Sequence, residues 1–159
     1  ELMEHVARPG AEEQIDNEKY EYKNRHWEDY EPGGTKEGRS LAGFLTTIND
    51  IRRAHPALHR LRDITFHHVD DENFIAFSKR RVLPDGSVDV VLVVANLDPH
   101  STRATTLRLD LGALGLDPGE SLEAHDLLTD QRWVWGRDVY VRLGPEAEPA
   151  HVVAVRGLR

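Results

Sequence analysis

The sequence predicts a mainly β protein, with an antiparallel β-sandwich at its C-terminal end preceded by a long loop and one helix. Three observations support this fold class. Residues 61–159 contain seven short runs of strand type separated by turn residues. Residues 41–51 carry a single apolar stripe at helical spacing. Residues 1–36 follow neither period for long.

The N-terminal 36 residues are polar and contain Tyr20, Tyr22, Trp27 and Tyr30. A segment of this length without secondary structure is uncommon in a compact domain unless it is a functional loop or disordered. The aromatic residues argue against disorder. We therefore expect a long loop that lies on another protein surface.

One helix is predicted from Ser40 to His55. The Ser40 hydroxyl is suited to accept a hydrogen bond from a free N–H of the first turn. Pro56 disfavours helical geometry at His55 and so ends the helix. The apolar stripe needs a partner, which the polar N-terminal segment is not suited to provide. It consists of Leu41, Phe44, Leu45, Ile48 and Ile51.

The predicted strands follow the helix, and the clearest alternate apolar and polar residues, as half-buried strands do. Val88–Ala95 is apolar on both faces, which predicts a central strand, and the turn at residues 84–87 before it predicts a hairpin. The seven predicted strands are Ile64–Val69, Asn73–Val82, Val88–Asn96, Thr102–Asp110, Ser121–Asp126, Val139–Leu143 and His151–Val155.

Composition excludes several functional classes. The 159 residues carry a formal net charge of −8 and no Lys/Arg-rich block, which argues against nucleic acid and anionic membranes as partners. The chain has no cysteine, so it forms no disulfide and no thiolate site, which is compatible with the cytoplasmic location that we expect. No apolar run reaches the roughly 20 residues of a membrane helix. Because Glu1 begins mid-pattern without a signal peptide, we expect a piece of a longer polypeptide.

The helix ends in a distinctive string, Ile51-Arg52-Arg53-Ala54-His55-Pro56-Ala57-Leu58. This string resembles the eighth barrel helix of α-amylase-type glycoside hydrolases, in which that helix leads into a C-terminal β-sandwich. The resemblance implies that residues 1–60 end a catalytic (β/α)8 barrel, with a substrate loop at 1–36 and the last barrel helix at 40–55. Residues 61–159 then form the all-β sandwich domain.

The loop at residues 1–36 points to one family within this superfamily. Its segments Glu1–Glu4, Arg8–Gly10 and Asp16–Lys23 resemble bacterial α-1,4-glucan:maltose-1-phosphate maltosyltransferase, and the likeness extends over essentially the whole chain. The resemblance implies transfer of maltosyl units from maltose 1-phosphate to the non-reducing ends of α-glucans, with retention. It also implies that Lys19 and Tyr20 contact the donor sugar, and that the complete enzyme is a homodimer.

The same resemblance implies that the reaction centre lies elsewhere. A retaining transfer needs two carboxyl groups about 5–5.5 Å apart, and in this superfamily they come from barrel strands upstream of this segment. We therefore expect no catalytic residue in this chain, no activity for the chain alone, and the upstream barrel as its partner. The residues show no H-E-x-x-H motif and no calcium-loop spacing, so no metal or cofactor is expected.

Two alternatives stay open. Trp133 and Trp135 are two residues apart, so on a strand they share one side, where they either pack the sheet or form a platform for sugar. In the second case the chain is a self-standing sandwich that binds glucan. The other alternative is a related superfamily member, such as a trehalose-forming isomerase or a branching enzyme.

Overall fold

The computed structural model describes Gly10 and residues 27–158. The chain divides into two compact units, residues 1–49 and 50–159. Within residues 27–158, no helix has the length and apolar character that a membrane span requires.

The described part of the first unit contains a short 3₁₀ helix at Trp27–Asp29, a series of turns, and the start of helix α1. Lys36 pairs with Asp29 at 3.6 Å and lies 5.0 Å from the centre of the Tyr30 ring. Helix α1 runs from Ala42 to Ala54. The amide of Ala42 donates to the Ser40 hydroxyl at 3.0 Å, which confirms the predicted cap.

The second unit contains nine strands in two antiparallel sheets, so the chain is mainly β, as the sequence predicts. One sheet has six strands in the order β1-β3-β4-β9-β6-β7, and the other has three in the order β2-β5-β8. A second short 3₁₀ helix spans Pro56–His59, and helix α2 spans Leu111–Leu114. The strands are β1 Ile64–Phe66, β2 His68–Val69, β3 Phe74–Val82, β4 Val88–Asn96, β5 Arg103–Arg108, β6 Ser121–Asp126, β7 Arg132–Trp135, β8 Asp138–Leu143 and β9 Ala150–Leu158.

The main core contains side chains from both sheets. Leu92, Leu107 and Leu122, from β4, β5 and β6, have no exposed surface, and helix α2 adds Leu111 and Leu114. Burying each such side chain contributes about 1.5–3 kcal/mol. This core holds the two sheets together as a sandwich.

The central-strand and hairpin predictions are confirmed. β4 lies inside the six-stranded sheet between β3 and β9, and Val91 and Leu92 on its two faces have no exposed surface. The turn before it is closed by a hydrogen bond from the Leu83 amide to the Ser87 carbonyl at 2.8 Å.

The predicted number of strands was too low. The run Ile64–Val69 forms two strands in different sheets, and His67 between them is buried and bonds to Ser78. Arg132–Trp135 forms the additional strand β7. The predicted strand Thr102–Asp110 stops at Arg108, and Asp110 instead caps helix α2 by accepting from the Ala113 amide at 3.0 Å.

Candidate functional site: a tryptophan pair and a buried carboxylate network

Lys19 and Tyr20, the predicted sugar contacts, lie outside the residues that the structure describes. Their role therefore stays a prediction. The tryptophan pair and its surroundings are described in full.

Trp133 and Trp135 lie on β7, the edge strand of the larger sheet, and share one face as predicted. Their ring centres are 5.6 Å apart and the ring planes differ by 13°, so the indoles are stacked. They stand opposite Ala124 and Leu122, which are fully buried, and both pack against the main core. Each indole therefore contributes to packing while keeping part of its surface exposed.

Trp133 also contacts His151, whose ring centre is 5.2 Å away. Nδ1 of His151 donates to Oδ2 of Asp126 at 3.0 Å. Asp126 has no exposed surface, and it accepts three further hydrogen bonds from the Thr129 hydroxyl and the amides of Leu128 and Val152. Burial works to raise the pKa of Asp126, but these hydrogen bonds outweigh it and lower the pKa below 3.8.

This network positions groups and does not supply a reaction centre. The oxygens of Asp126 are committed to four donors and are shielded from solvent, so this carboxylate offers no site for nucleophilic attack or proton transfer. It fixes the ring of His151 beside Trp133. Within residues 27–158, no group of three or more His, Asp or Glu side chains is arranged to hold a metal ion.

The string at the end of helix α1 joins the helix to the larger sheet. Nδ1 of His55 donates to Oδ1 of Asp89, and the Ala57 amide donates to Oδ2 of the same carboxylate, each at 2.8 Å. Arg81 on β3 donates to the Pro56 carbonyl at 3.1 Å. The His-Pro-Ala segment is therefore held against β3 and β4 by side chains of the sheet.

We call the face of the larger sheet that is turned away from the smaller sheet the outer face, and it carries both apolar and charged side chains. Its centre is covered, since Ile51, Val91 and Val152 form a small buried cluster there. Near β1 it is open: Ile64 is 44% exposed and Phe66 is 63% exposed. The cross-strand partners of these two residues on β3, Lys79 and Phe77, lie opposite Val91 and Val93, which places all of them on this face.

Sequence reasoning found the tryptophan pair but missed the Asp126–His151 and Asp89–His55 pairs. Asp126 and His151 are 25 positions apart, and His55 and Asp89 are 34 apart. No local spacing connects residues so far apart. The only available signal was that each aspartate lies in a predicted strand, which is an unusual place for that residue.

Comparison with known proteins identifies the family of this chain. The family described as "GLGE, C-terminal" matches residues 66–155, which include most of the sandwich. Alpha-1,4-glucan:maltose-1-phosphate maltosyltransferase 2 of Streptomyces coelicolor is 51% identical over 157 residues, which are 98% of this chain and 22% of that protein. The Corynebacterium glutamicum enzyme is 46% identical over 96% of this chain and 22% of its own length.

The Mycobacterium tuberculosis maltosyltransferase is 40% identical over 96% of this chain and 21% of its own length. The chain thus spans about a fifth of the length of the curated relatives that it matches. The chain belongs to the GLGE C-terminal family and corresponds to the C-terminal part of the maltosyltransferases that it resembles.

Proposed function

We propose that this chain is the C-terminal portion of a retaining maltosyltransferase that moves maltosyl units from maltose 1-phosphate to the non-reducing ends of α-1,4-glucans. The observation that carries the proposal is the match of nearly the whole chain to maltosyltransferases, at 51% identity to one of them. The catalytic carboxylates belong to the upstream barrel of the same polypeptide. The complete enzyme acts as a homodimer.

In this proposal the loop supplies Lys19 and Tyr20 to the donor sugar. An ammonium group donates to sugar hydroxyls, and a phenol offers a flat apolar face with one polar tip. Neither group carries out the chemistry. Their contribution is to position the donor, so Lys19→Ala and Tyr20→Phe in the assembled enzyme should mainly raise KM for maltose 1-phosphate.

The sandwich has a structural role, and its outer face rests on the upstream barrel. Ile64 and Phe66 leave an open apolar area on this face, which supports a partner there. The exposed apolar stripe of helix α1 also indicates a missing partner. Its residues Leu41, Phe44 and Leu45 are 43%, 52% and 41% exposed. The occupant is the preceding part of the same polypeptide, since the relatives are several times longer than this chain.

The test is phosphate release from maltose 1-phosphate with glycogen as acceptor. Three samples are compared: this chain, the upstream portion, and the two mixed. We expect activity only in the mixture. Turnover by the 159 residues alone would mean that they hold a reaction centre, and the proposal would be wrong.

A second candidate is a self-standing sandwich that binds glucan through Trp133 and Trp135. The partly exposed, stacked indoles favour it, while their packing against the core favours a structural role. Saturable binding of malto-oligosaccharides that is lost in Trp135→Ala would support it. Product analysis of the complete enzyme with maltose 1-phosphate distinguishes the maltosyltransferase from a trehalose-forming isomerase or a branching enzyme.

A further inference from the structure

The larger sheet opens into a cleft between β4 and β9. Pairing of these strands stops at Val91 and Ala154, whereas β4 stays paired with β3 as far as Val88, and β9 stays paired with β6 as far as Leu158. The resulting cleft has a volume of about 690 Å³. Sites for small molecules have volumes of roughly 300–1,000 Å³, so this cleft is large enough for a ligand.

Arg80 extends into the cleft from β3 without a partner. Its half-buried side chain makes none of the hydrogen bonds or ion pairs found among residues 27–158, and its Nε is buried with no acceptor. A guanidinium carries five N–H donors. Folded proteins rarely leave such donors unpaired, so an unpartnered arginine that lines a cleft points to an acceptor on a ligand.

Gly115 leaves the space that the guanidinium occupies. The residue follows helix α2 with φ of 81°, and a Cβ atom built on it would come within 2.6 Å of the Arg80 Nε. Only glycine combines this backbone conformation with such a close approach. The end of helix α2 therefore lies close against the Arg80 side chain beside the cleft.

The charges of the cleft select the kind of ligand. Asp117, Glu120 and Glu123 line it together with Arg80 and Arg156, and Glu123 also pairs with Arg132 at 2.8 Å, so the cleft has no surplus of positive charge. Without such a surplus, phosphate and other anions are disfavoured. A neutral ligand with many hydroxyl groups fits better, because a hydroxyl both accepts from a guanidinium and donates to a carboxylate.

We propose that the cleft is a glucan-binding site of the sandwich, formed by residues other than the tryptophan pair. Arg80 donates to ring or hydroxyl oxygens, and Glu120 accepts from hydroxyl groups. The unpaired edges of β4 and β9 add backbone donors and acceptors to the walls. The choice of a linear α-1,4-glucan among hydroxyl-rich ligands rests on the proposed function. In the complete enzyme the site retains a long acceptor chain.

The direct test is an NMR titration of the ¹⁵N-labelled 159-residue chain with maltoheptaose. We expect the amide signals of Gly115 and Gly157, which line the cleft, to shift saturably. Arg80→Gln should weaken binding about tenfold, as expected when hydrogen bonds from a charged donor are lost. Trp135→Ala should leave the affinity unchanged. Loss of binding in Trp135→Ala with retention in Arg80→Gln would overturn the proposal in favour of the indole platform.

A pair of glycine variants tests whether weaker binding results from contact with Arg80 or from a general loss of folding. Gly115→Ala places a methyl group against Arg80, whereas Gly119→Ala introduces the same kind of backbone strain, at φ of 85°, with no atom within 4 Å of the new Cβ. We expect weaker binding only in Gly115→Ala. Equal affinity in the two variants would contradict the role of Arg80. Shifts at the cleft with inorganic phosphate but not with maltoheptaose would overturn the choice of ligand.

The assembled enzyme provides an independent readout. Arg80→Gln should raise KM for glycogen several-fold and leave kcat with a short acceptor, maltotetraose, unchanged. An unchanged KM for glycogen would contradict acceptor retention. Failure of the proposed function would appear differently, as an inactive mixture of the two portions whatever residue stands at position 80.

Discussion

His67 is a buried histidine whose environment favours the neutral ring. Its Nδ1 accepts from the Asp110 amide at 3.1 Å, which leaves Nε2 to donate to the Ser78 hydroxyl at 2.9 Å. Burial lowers the pKa of His67 below 6.5, and the negative charge of Asp110 only partly offsets this effect. Protonation would remove the acceptor that the Asp110 amide requires.

We therefore expect acid to destabilise the sandwich through His67. As the pH falls below 6.5, the unfolded chain takes up a proton at this position before the native state does, so the free energy of unfolding decreases until the lowered native pKa is reached. Above pH 6.5 this contribution is fully present. Urea unfolding at pH 7.5 and pH 5.5 measures the difference, and His67→Gln should reduce it.

The matched control is the neighbouring residue His68, which is exposed and lies outside the core. His68→Gln should keep the difference in stability between pH 7.5 and pH 5.5. An unchanged pH dependence in His67→Gln would show that other groups cause it.

A second prediction for a single residue concerns Asp126. An asparagine at this position removes the negative charge and replaces one acceptor oxygen by an NH₂ group, so the charge-assisted hydrogen bonds from the four donors are weakened or lost. We expect Asp126→Asn to lower the free energy of unfolding by about 3 kcal/mol, the usual cost of disrupting a buried charged network. Urea unfolding at pH 7 measures this. Asp130→Asn, at an exposed partner of His125, should change it by less than about 0.5 kcal/mol.

Among the secondary-structure elements, those with local signals were predictable. β4 and β6 were predicted at their observed bounds, because β4 is apolar apart from Asp89 and its last residue, and β6 is preceded by a turn-forming segment at residues 117–120. The division between β1 and β2 was not predictable, since no turn-forming residue marks the point where the chain passes from one sheet to the other. Helix α2 is only four residues long, too short for a periodic pattern to show.

The connection between helix α1 and the sheet depends on Asp89. Its two oxygens accept from the His55 ring and the Ala57 amide, so this one side chain holds residues 55–57 against β4. We expect Asp89→Ala to lower the free energy of unfolding by about 2 kcal/mol, because it leaves two partly buried donors unpaired. Thermal or urea unfolding measures this.

Asp50→Ala is the control for this element. Asp50 forms an ion pair with Arg53 on the same helix, but both side chains are mostly exposed. Exposed pairs contribute little, so a change below about 0.5 kcal/mol is expected. A comparable loss in both variants would mean that Asp89 acts through its negative charge near the helix and not through its two hydrogen bonds.

For the whole molecule, the sequence predicted the family and the sandwich but not the arrangement of the site. The family is recognised from local strings, such as the segment from Ile51 to Leu58, whereas the site is assembled from distant positions. Arg80, Gly115 and Glu120 meet at the cleft only because β3, helix α2 and the start of β6 converge at one end of the sandwich. Nothing in the sequence indicated that β4 and β9 separate there.

The outer face supplies the last prediction, which concerns assembly of the complete enzyme. If the sandwich rests on the upstream barrel through this face, a charge at Phe66 must be buried in the contact without a partner. Because Phe66 is 63% exposed in this chain and loses only its ring contact with Phe77, Phe66→Asp should lower the free energy of unfolding of the chain by no more than about 1.5 kcal/mol. In the mixing assay it should raise the concentration of this chain needed for half-maximal phosphate release at least about tenfold, as replacement of a central interface aromatic does.

Tyr140→Asp is the matched control, since Tyr140 is 71% exposed on the smaller sheet, away from the outer face. Equal effects of the two variants would show that the upstream portion does not dock on the outer face, whereas a selective effect at Phe66 would identify that face as the support for the barrel.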